Sequence, residues 1–104
     1  MTTFDKREEG FEKKFAHDEE LKFKATARRN RMAGMWAAEK LGLTGADAEA
    51  YAREVVLAGL EGNGVFAKLR KDFDAKGVAQ SDHQIHRHMD TLMAQAVAQI
   101  KASG

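Results

Sequence analysis

Large apolar residues recur along most of the chain at intervals of three and four, the spacing of one face of an α-helix. The pattern is clearest near the carboxyl end. There the apolar positions are Ile85, Met89, Leu92, Ala96 and Ile100. No alternating run of apolar and polar residues indicates a strand, and the chain contains no proline. We therefore predict an all-α fold.

Turn residues divide this pattern into four predicted helices. Gly42, the Gly62-Asn63-Gly64 triplet and Gly77 separate the segments, and Gly42 and Gly77 are suited to end a helix. Because the connections are only a few residues long, neighbouring helices are expected to be antiparallel and to form a small four-helix bundle. The predicted helices span residues 19–41, 45–60, 65–75 and 82–102.

Capping patterns and inward faces support these bounds. Thr44-Gly45-Ala46-Asp47 and Ser81-Asp82-His83-Gln84 match the capping box, in which two side chains satisfy the first free N–H groups of a helix. The predicted apolar face of the 19–41 helix is Leu21, Ala25, Met32, Met35, Trp36 and Leu41. The predicted apolar face of the 45–60 helix is Ala48, Tyr51, Ala52, Val55 and Val56. That of the 65–75 helix is Phe66, Leu69 and Phe73.

The first twenty residues differ from the rest, with eleven charged side chains and only three large apolar ones, Phe4, Phe11 and Phe15. Their spacings of seven and four place the three rings on one narrow helical stripe, too small to fold alone. We predict a mobile amphipathic segment at residues 1–18 that binds a partner protein, and a helical bundle at 19–104. A helix continuous from residue 4 onward is also possible, and a first helix packed onto the bundle is the alternative to partner binding.

Charge is uneven along the chain, although the net charge is only +1. Residues 1–20, 21–40 and 41–62 carry −3, +5 and −3. The basic residues of the middle segment are Lys22, Lys24, Arg28, Arg29 and Arg31. This face suits either solvent or phosphate groups. One hypothesis is a weak nucleotide site at Arg28, Arg29 and Trp36; the alternative is that Trp36 is a core residue. Without aromatic residues beyond Phe23 interleaved along it, the face does not indicate nucleic-acid binding.

Features of several other protein classes are missing. The sequence has no cysteine, phosphate-binding glycine loop or serine elbow, and no stretch of membrane-spanning length or signal-peptide character. We therefore expect neither an enzyme nor direct membrane insertion. His83, His86 and His88 do not share one helical face, so no metal site and no cofactor is predicted.

Several motifs resemble the zeta subunit family of alphaproteobacterial F-type ATP synthases. The most specific stretch is Phe11-Glu12-Lys13-Lys14-Phe15-Ala16-His17-Asp18-Glu19-Glu20. It continues through Ala27-Arg28-Arg29-Asn30-Arg31 and Gly34-Met35-Trp36-Ala37-Ala38-Glu39. Similarity extends to Ala50–Val56 and Lys68-Leu69-Arg70, and so covers nearly the whole chain.

The resemblance implies a regulatory protein that inhibits ATP hydrolysis by the ATP synthase. Members of that family insert the N-terminal segment as a helix between subunits of the catalytic head and against the central stalk, which blocks rotation in one direction. In this chain the inhibitory region would span Thr2 to His17. Its expected contacts are Phe4, Arg7, Phe11, Lys14, Phe15 and His17. The resemblance also implies weak ATP or ADP binding by the bundle, and a cytoplasmic location beside the inner membrane.

Overall fold

The chain forms four α-helices joined by short loops in a computed structural model. The structure describes the backbone of residues 2–61 and 64–103, and the side chains of residues 19–61 and 64–103. No strand occurs in the described backbone, so the predicted all-α four-helix bundle is confirmed. The helices are α1 (Thr2–Lys40), α2 (Gly45–Ala58), α3 (Gly64–Lys76) and α4 (Asp82–Ser103).

Helix α1 is one continuous element of 39 residues. Of the two possibilities that the sequence left open, the continuous helix is therefore the one observed, and no break separates residues 2–18 from residues 19–40. At 1.5 Å per residue such a helix is about 58 Å long. It accounts for most of the 64 Å length of the molecule, which is only 25 × 20 Å in cross-section.

Glycines end α1 and α3 in the same way. Gly42 and Gly77 adopt φ values of 79° and 69°, the left-handed region predicted for both. The N–H of the residue after each glycine donates to a carbonyl five residues back, Leu43 to Ala38 at 2.8 Å and Val78 to Phe73 at 2.8 Å. These bonds satisfy carbonyl groups that the helix end leaves free.

The two predicted capping boxes have different outcomes. At α4 the N–H of Gln84 donates to Ser81 Oγ at 3.1 Å, and the N–H of Ser81 donates to Gln84 Oε1 at 2.9 Å, which confirms the prediction. At α2 the helix starts as predicted after Thr44, but no side chain caps it. Gly45 has a φ of 56°, so the first turn lacks the geometry that a capping box requires.

Small residues of α1 form its contact with the core. Met35, predicted to face inward, is exposed, while Ala33, Ala37 and Ala38 are fully buried. A Cβ atom placed on Gly34 would lie 2.6 Å from the Cα of Ala52, so α1 and α2 touch backbone to backbone. Periodicity of large residues misses this face because close helix contact requires side chains with almost no bulk.

Helix α3 closes the core on one side of the α1–α2–α4 layer. Phe73 is fully buried, and its ring lies edge-on to Trp36 at 5.6 Å between centroids. Arg70 holds the turn into α4, since its guanidinium bonds the carboxylate of Asp74 at 2.7 Å, the Gln80 carbonyl at 2.7 Å and Asp82 at 2.9 Å. Hydrogen bonds to Asp74 and Asp82 raise the pKa of Arg70, which keeps it a cation.

Tyr51 links α2 to α3 through a polar contact beside the core. Its hydroxyl donates to Asp72 Oδ2 at 2.6 Å, and Lys68 Nζ lies 3.1 Å from the same oxygen and 4.9 Å from the centroid of the tyrosine ring. Burial, then the hydrogen bond and negative charge of Asp72, raise the pKa of Tyr51 far above its ordinary value. The fold therefore keeps this phenol protonated.

Gly34→Ala tests the close contact between α1 and α2. Overpacking costs about 1–3 kcal/mol, and the gain in helix propensity returns at most about 1 kcal/mol, so we expect a net loss of stability. Urea unfolding followed by circular dichroism measures it. Ala50→Ser, on the exposed face of α2, is the control and should change stability by less than about 0.5 kcal/mol. Equal stability of Gly34→Ala and the native chain would contradict the contact.

Tyr51→Phe tests the contact with Asp72. Losing a hydrogen bond to a charged group is expected to cost about 1.5–3 kcal/mol at neutral pH. Because the pKa of Tyr51 is raised in the folded state, the native chain has the full stabilisation from this hydrogen bond below pH 10.0, the ordinary pKa of tyrosine. It loses that stabilisation as the pH rises further. Tyr51 is the only tyrosine, so the stability difference between the two proteins should shrink above that pH. A difference independent of pH would argue against the buried phenol.

Candidate functional site

The N-terminal half of α1 extends beyond the helices that pack against it. α4 is antiparallel to α1, since its His88 lies on Trp36 and its Gln99 accepts a hydrogen bond from Arg28 at 3.3 Å. α4 ends four residues after Gln99, level with about residue 24 of α1 by the helical rise. α2 ends sooner, where Gly59 lies against Asn30. α1 therefore continues past both helices for roughly 30 Å.

The predicted partner-binding residues all belong to this extension. Their backbone is part of α1, and their side chains lie outside the described residues. The structure thus assigns them to a helix and leaves their contacts as a prediction. They are Phe4, Arg7, Phe11, Lys14, Phe15 and His17.

A groove runs along the outer face of α1, between α2 and α4, with a volume of about 780 Å³. Its floor is formed by α1, and Val56 of α2 and Leu92 of α4 form the walls. Most of the lining is apolar, with two guanidinium groups at its edge. The lining residues are Ala27, Arg28, Arg31, Met32, Met35, Val56, Leu92 and Gln99.

Exposed apolar side chains continue this surface across α2. Leu57 and Leu60 are 64% and 74% exposed, and Met35 on the groove floor is 38% exposed. Arg31, Arg53, Val56 and Leu57 form a second depression beside the groove. The sequence reasoning missed the α2 side of this surface. The available signal was Leu57, a leucine of α2 outside its inward stripe.

The residues predicted for nucleotide binding lie in different surroundings. Arg28 lines the groove, whereas Arg29 and Trp36 do not. Arg29, predicted to be exposed, is half-buried and donates through Nε to Asn30 Oδ1 at 2.9 Å. Burial lowers the pKa of Arg29, and the charge of Asp90 partly offsets that effect. A nucleotide site at Arg28, Arg29 and Trp36 stays a prediction.

Histidines of α4 pack on aromatic rings of other helices. His88 stacks on Trp36 and His86 stacks on Phe66, each at 4.3 Å between ring centroids. His83 is exposed. Within residues 19–61 and 64–103, no three His, Asp or Glu side chains meet as a set of metal ligands. The two stacked imidazoles therefore have a packing role between helices.

Comparison with known proteins identifies the family. The family model described as ATPase inhibitor subunit zeta matches residues 1–99. The chain belongs to the ATPase inhibitor subunit zeta family. A protein whose structure was solved by NMR in solution is 40% identical to this zeta chain, with a TM-score of 0.70. The match covers 81% of this chain and 99% of that one. No curated protein matches.

The match to the zeta family model covers both candidate regions of the molecule, the α1 extension and the groove. The matched residues 1–99 include the whole α1 extension and nearly all of the groove-forming helices. None of the described helices has the combination of length and apolarity needed to span a membrane. The family thus agrees with the resemblance found in the sequence, and it directs attention to contacts with the ATPase.

Proposed function

We propose that this zeta protein inhibits ATP hydrolysis by the F-type ATP synthase, by inserting the N-terminal half of α1 into the catalytic head and blocking rotation. The observation that supports this proposal is the geometry of α1. One unbroken helix is anchored in the bundle at one end and extends about 30 Å beyond it at the other. A projecting helix of this kind suits a cleft between subunits.

Anchoring lowers the cost of inserting the segment. Helix formation is limited by nucleation, and residues 19–40 supply a folded turn from which residues 2–18 propagate. Burying three phenylalanines at about 1.5–3 kcal/mol each then offsets the ordering of the remaining side chains. The charged residues around Phe4, Phe11 and Phe15 set the register of the helix in its cleft.

The bundle stops insertion at a fixed depth. Its cross-section of 25 × 20 Å is about twice the width of a single helix. In this proposal the bundle remains outside the head, peripheral to the membrane through the enzyme, while the helix contacts the central stalk. The role is regulatory rather than catalytic, and the partner is the enzyme itself.

Removing residues 1–17 should abolish inhibition. The truncated and full-length proteins are compared for inhibition of ATP hydrolysis by the purified ATP synthase. Circular dichroism and the fluorescence of Trp36, which lies on Phe73 and His88 inside the bundle, report whether the truncated protein is folded. Undiminished inhibition by the truncated protein would overturn the proposal.

Single substitutions test the contacts. Phe11→Ala should raise the inhibitory concentration by about ten- to a hundredfold, the equivalent of losing one buried aromatic side chain. Lys14→Glu should also weaken inhibition. Lys71→Glu is the matched control, because Lys71 is exposed on α3, away from the α1 extension. Equal loss from Lys14→Glu and Lys71→Glu would point to general electrostatics rather than insertion.

A further inference from the structure

We propose that the groove on the outer face of α1 binds an acidic amphipathic helix on the exterior of the ATP synthase head. This second contact rests on the proposed function and adds to it a docking site on the bundle. The groove is defined by its lining residues on α1, α2 and α4, with Arg53 and Leu57 beside it. Its shape, its apolar floor and its charge each support that occupant.

The groove lies on the side of α1 away from the core. Arg31 and Met35 are each two positions from a buried alanine, Ala33 or Ala37, which places them about 200° around the helix. α3 covers the opposite side through Phe73 and Leu69 of the core. The bundle therefore leaves a three-helix layer uncovered on one face, where a further helix would complete the packing.

The floor suits an apolar helix face. From Ala27 to Met35 it spans about 12 Å, slightly more than two helical turns, which accommodates two or three anchor side chains at spacings of three and four. Met32 and Met35 supply adaptable side chains of the kind found in helix-binding grooves. The walls at Val56 and Leu92 make the surface concave, as a helix requires and a flat membrane surface does not.

Charge selects an acidic partner. Arg28, Arg31 and Arg53 edge the surface, and none of them forms an ion pair with any residue in 19–61 or 64–103. Among the described side chains, the hydrogen-bond partner of Arg28 is the neutral amide of Gln99. Three guanidinium groups beside an apolar floor are complementary to a partner helix that has an apolar stripe flanked by carboxylates.

The position of the groove on α1 indicates that the partner helix belongs to the ATP synthase. Ala27 lies ten residues after His17, the end of the proposed inhibitory region, so the groove begins only about 15 Å from it. When the extension is inside the head, the groove is held next to the outer surface of the same enzyme. Effective concentration then favours contact even if the isolated groove binds weakly.

Charge reversal in the full-length protein separates this proposal from the inhibitory role. Arg31→Glu should raise the inhibitory concentration at low salt by about tenfold. The matched control is Arg87→Glu, which reverses the charge of an exposed arginine of α4 in a different surface depression. This substitution should leave inhibition unchanged. If Phe11→Ala weakens inhibition and Arg31→Glu does not, the groove proposal fails while the inhibitory role stands. If the native protein does not inhibit, the proposed function itself fails.

Site-directed crosslinking identifies the occupant. The chain has no cysteine, so Leu57→Cys and Ala94→Cys each introduce a unique, exposed attachment point for a benzophenone, the second as control. With the purified ATP synthase, Leu57→Cys should capture a peptide from a head subunit that is rich in Asp and Glu and amphipathic as a helix. Capture of a second zeta chain, of lipid, of no partner, or of the same peptide by Ala94→Cys would overturn the proposal.

Discussion

The contact between Gly34 and Ala52 determines how the rest of the molecule is arranged. A Cβ atom at position 34 would lie 2.6 Å from the Cα of Ala52, so the backbones of α1 and α2 are in direct contact there. Gly59 extends this contact by lying against the amide of Asn30. Since α2 and α4 pack on opposite flanks of α1, that helix becomes the centre of the bundle. Its extension and its outer groove both follow from this central position.

Helix α1 contributes to three parts of the molecule. Ala33 and Ala37 form part of the core, Arg31 and Met35 line the groove, and the part of α1 before about residue 24 forms the extension. The helical repeat keeps these roles apart, because residues two positions apart face opposite sides. The central helix can therefore bury one side completely and still present another to a partner. A protein of 104 residues can therefore have two candidate binding surfaces, the extension and the groove, on a single helix.

Sequence patterns predicted the helices well and their contacts less well. Glycines at 42 and 77 and the Ser81–Gln84 box marked helix ends because each has a local chemical requirement. Met35 was misplaced because a large apolar residue outweighs alanine in any periodic pattern, although alanines make the closest contact here. The α2 side of the groove depends on which helices are neighbours. Local spacing holds no such information, so Leu57 and Leu60 had no predicted role.

The continuity of α1 also has a mechanical consequence. In the proposed insertion, a force along the axis of α1 would pass directly into residues 19–40. There α2 and α4 flank α1 in antiparallel fashion, so many side-chain contacts would resist such a force at once, in shear, instead of separating one after another. The Gly34–Ala52 contact adds steric interlocking against sliding. In the proposed insertion the bundle would therefore act as a load-bearing anchor.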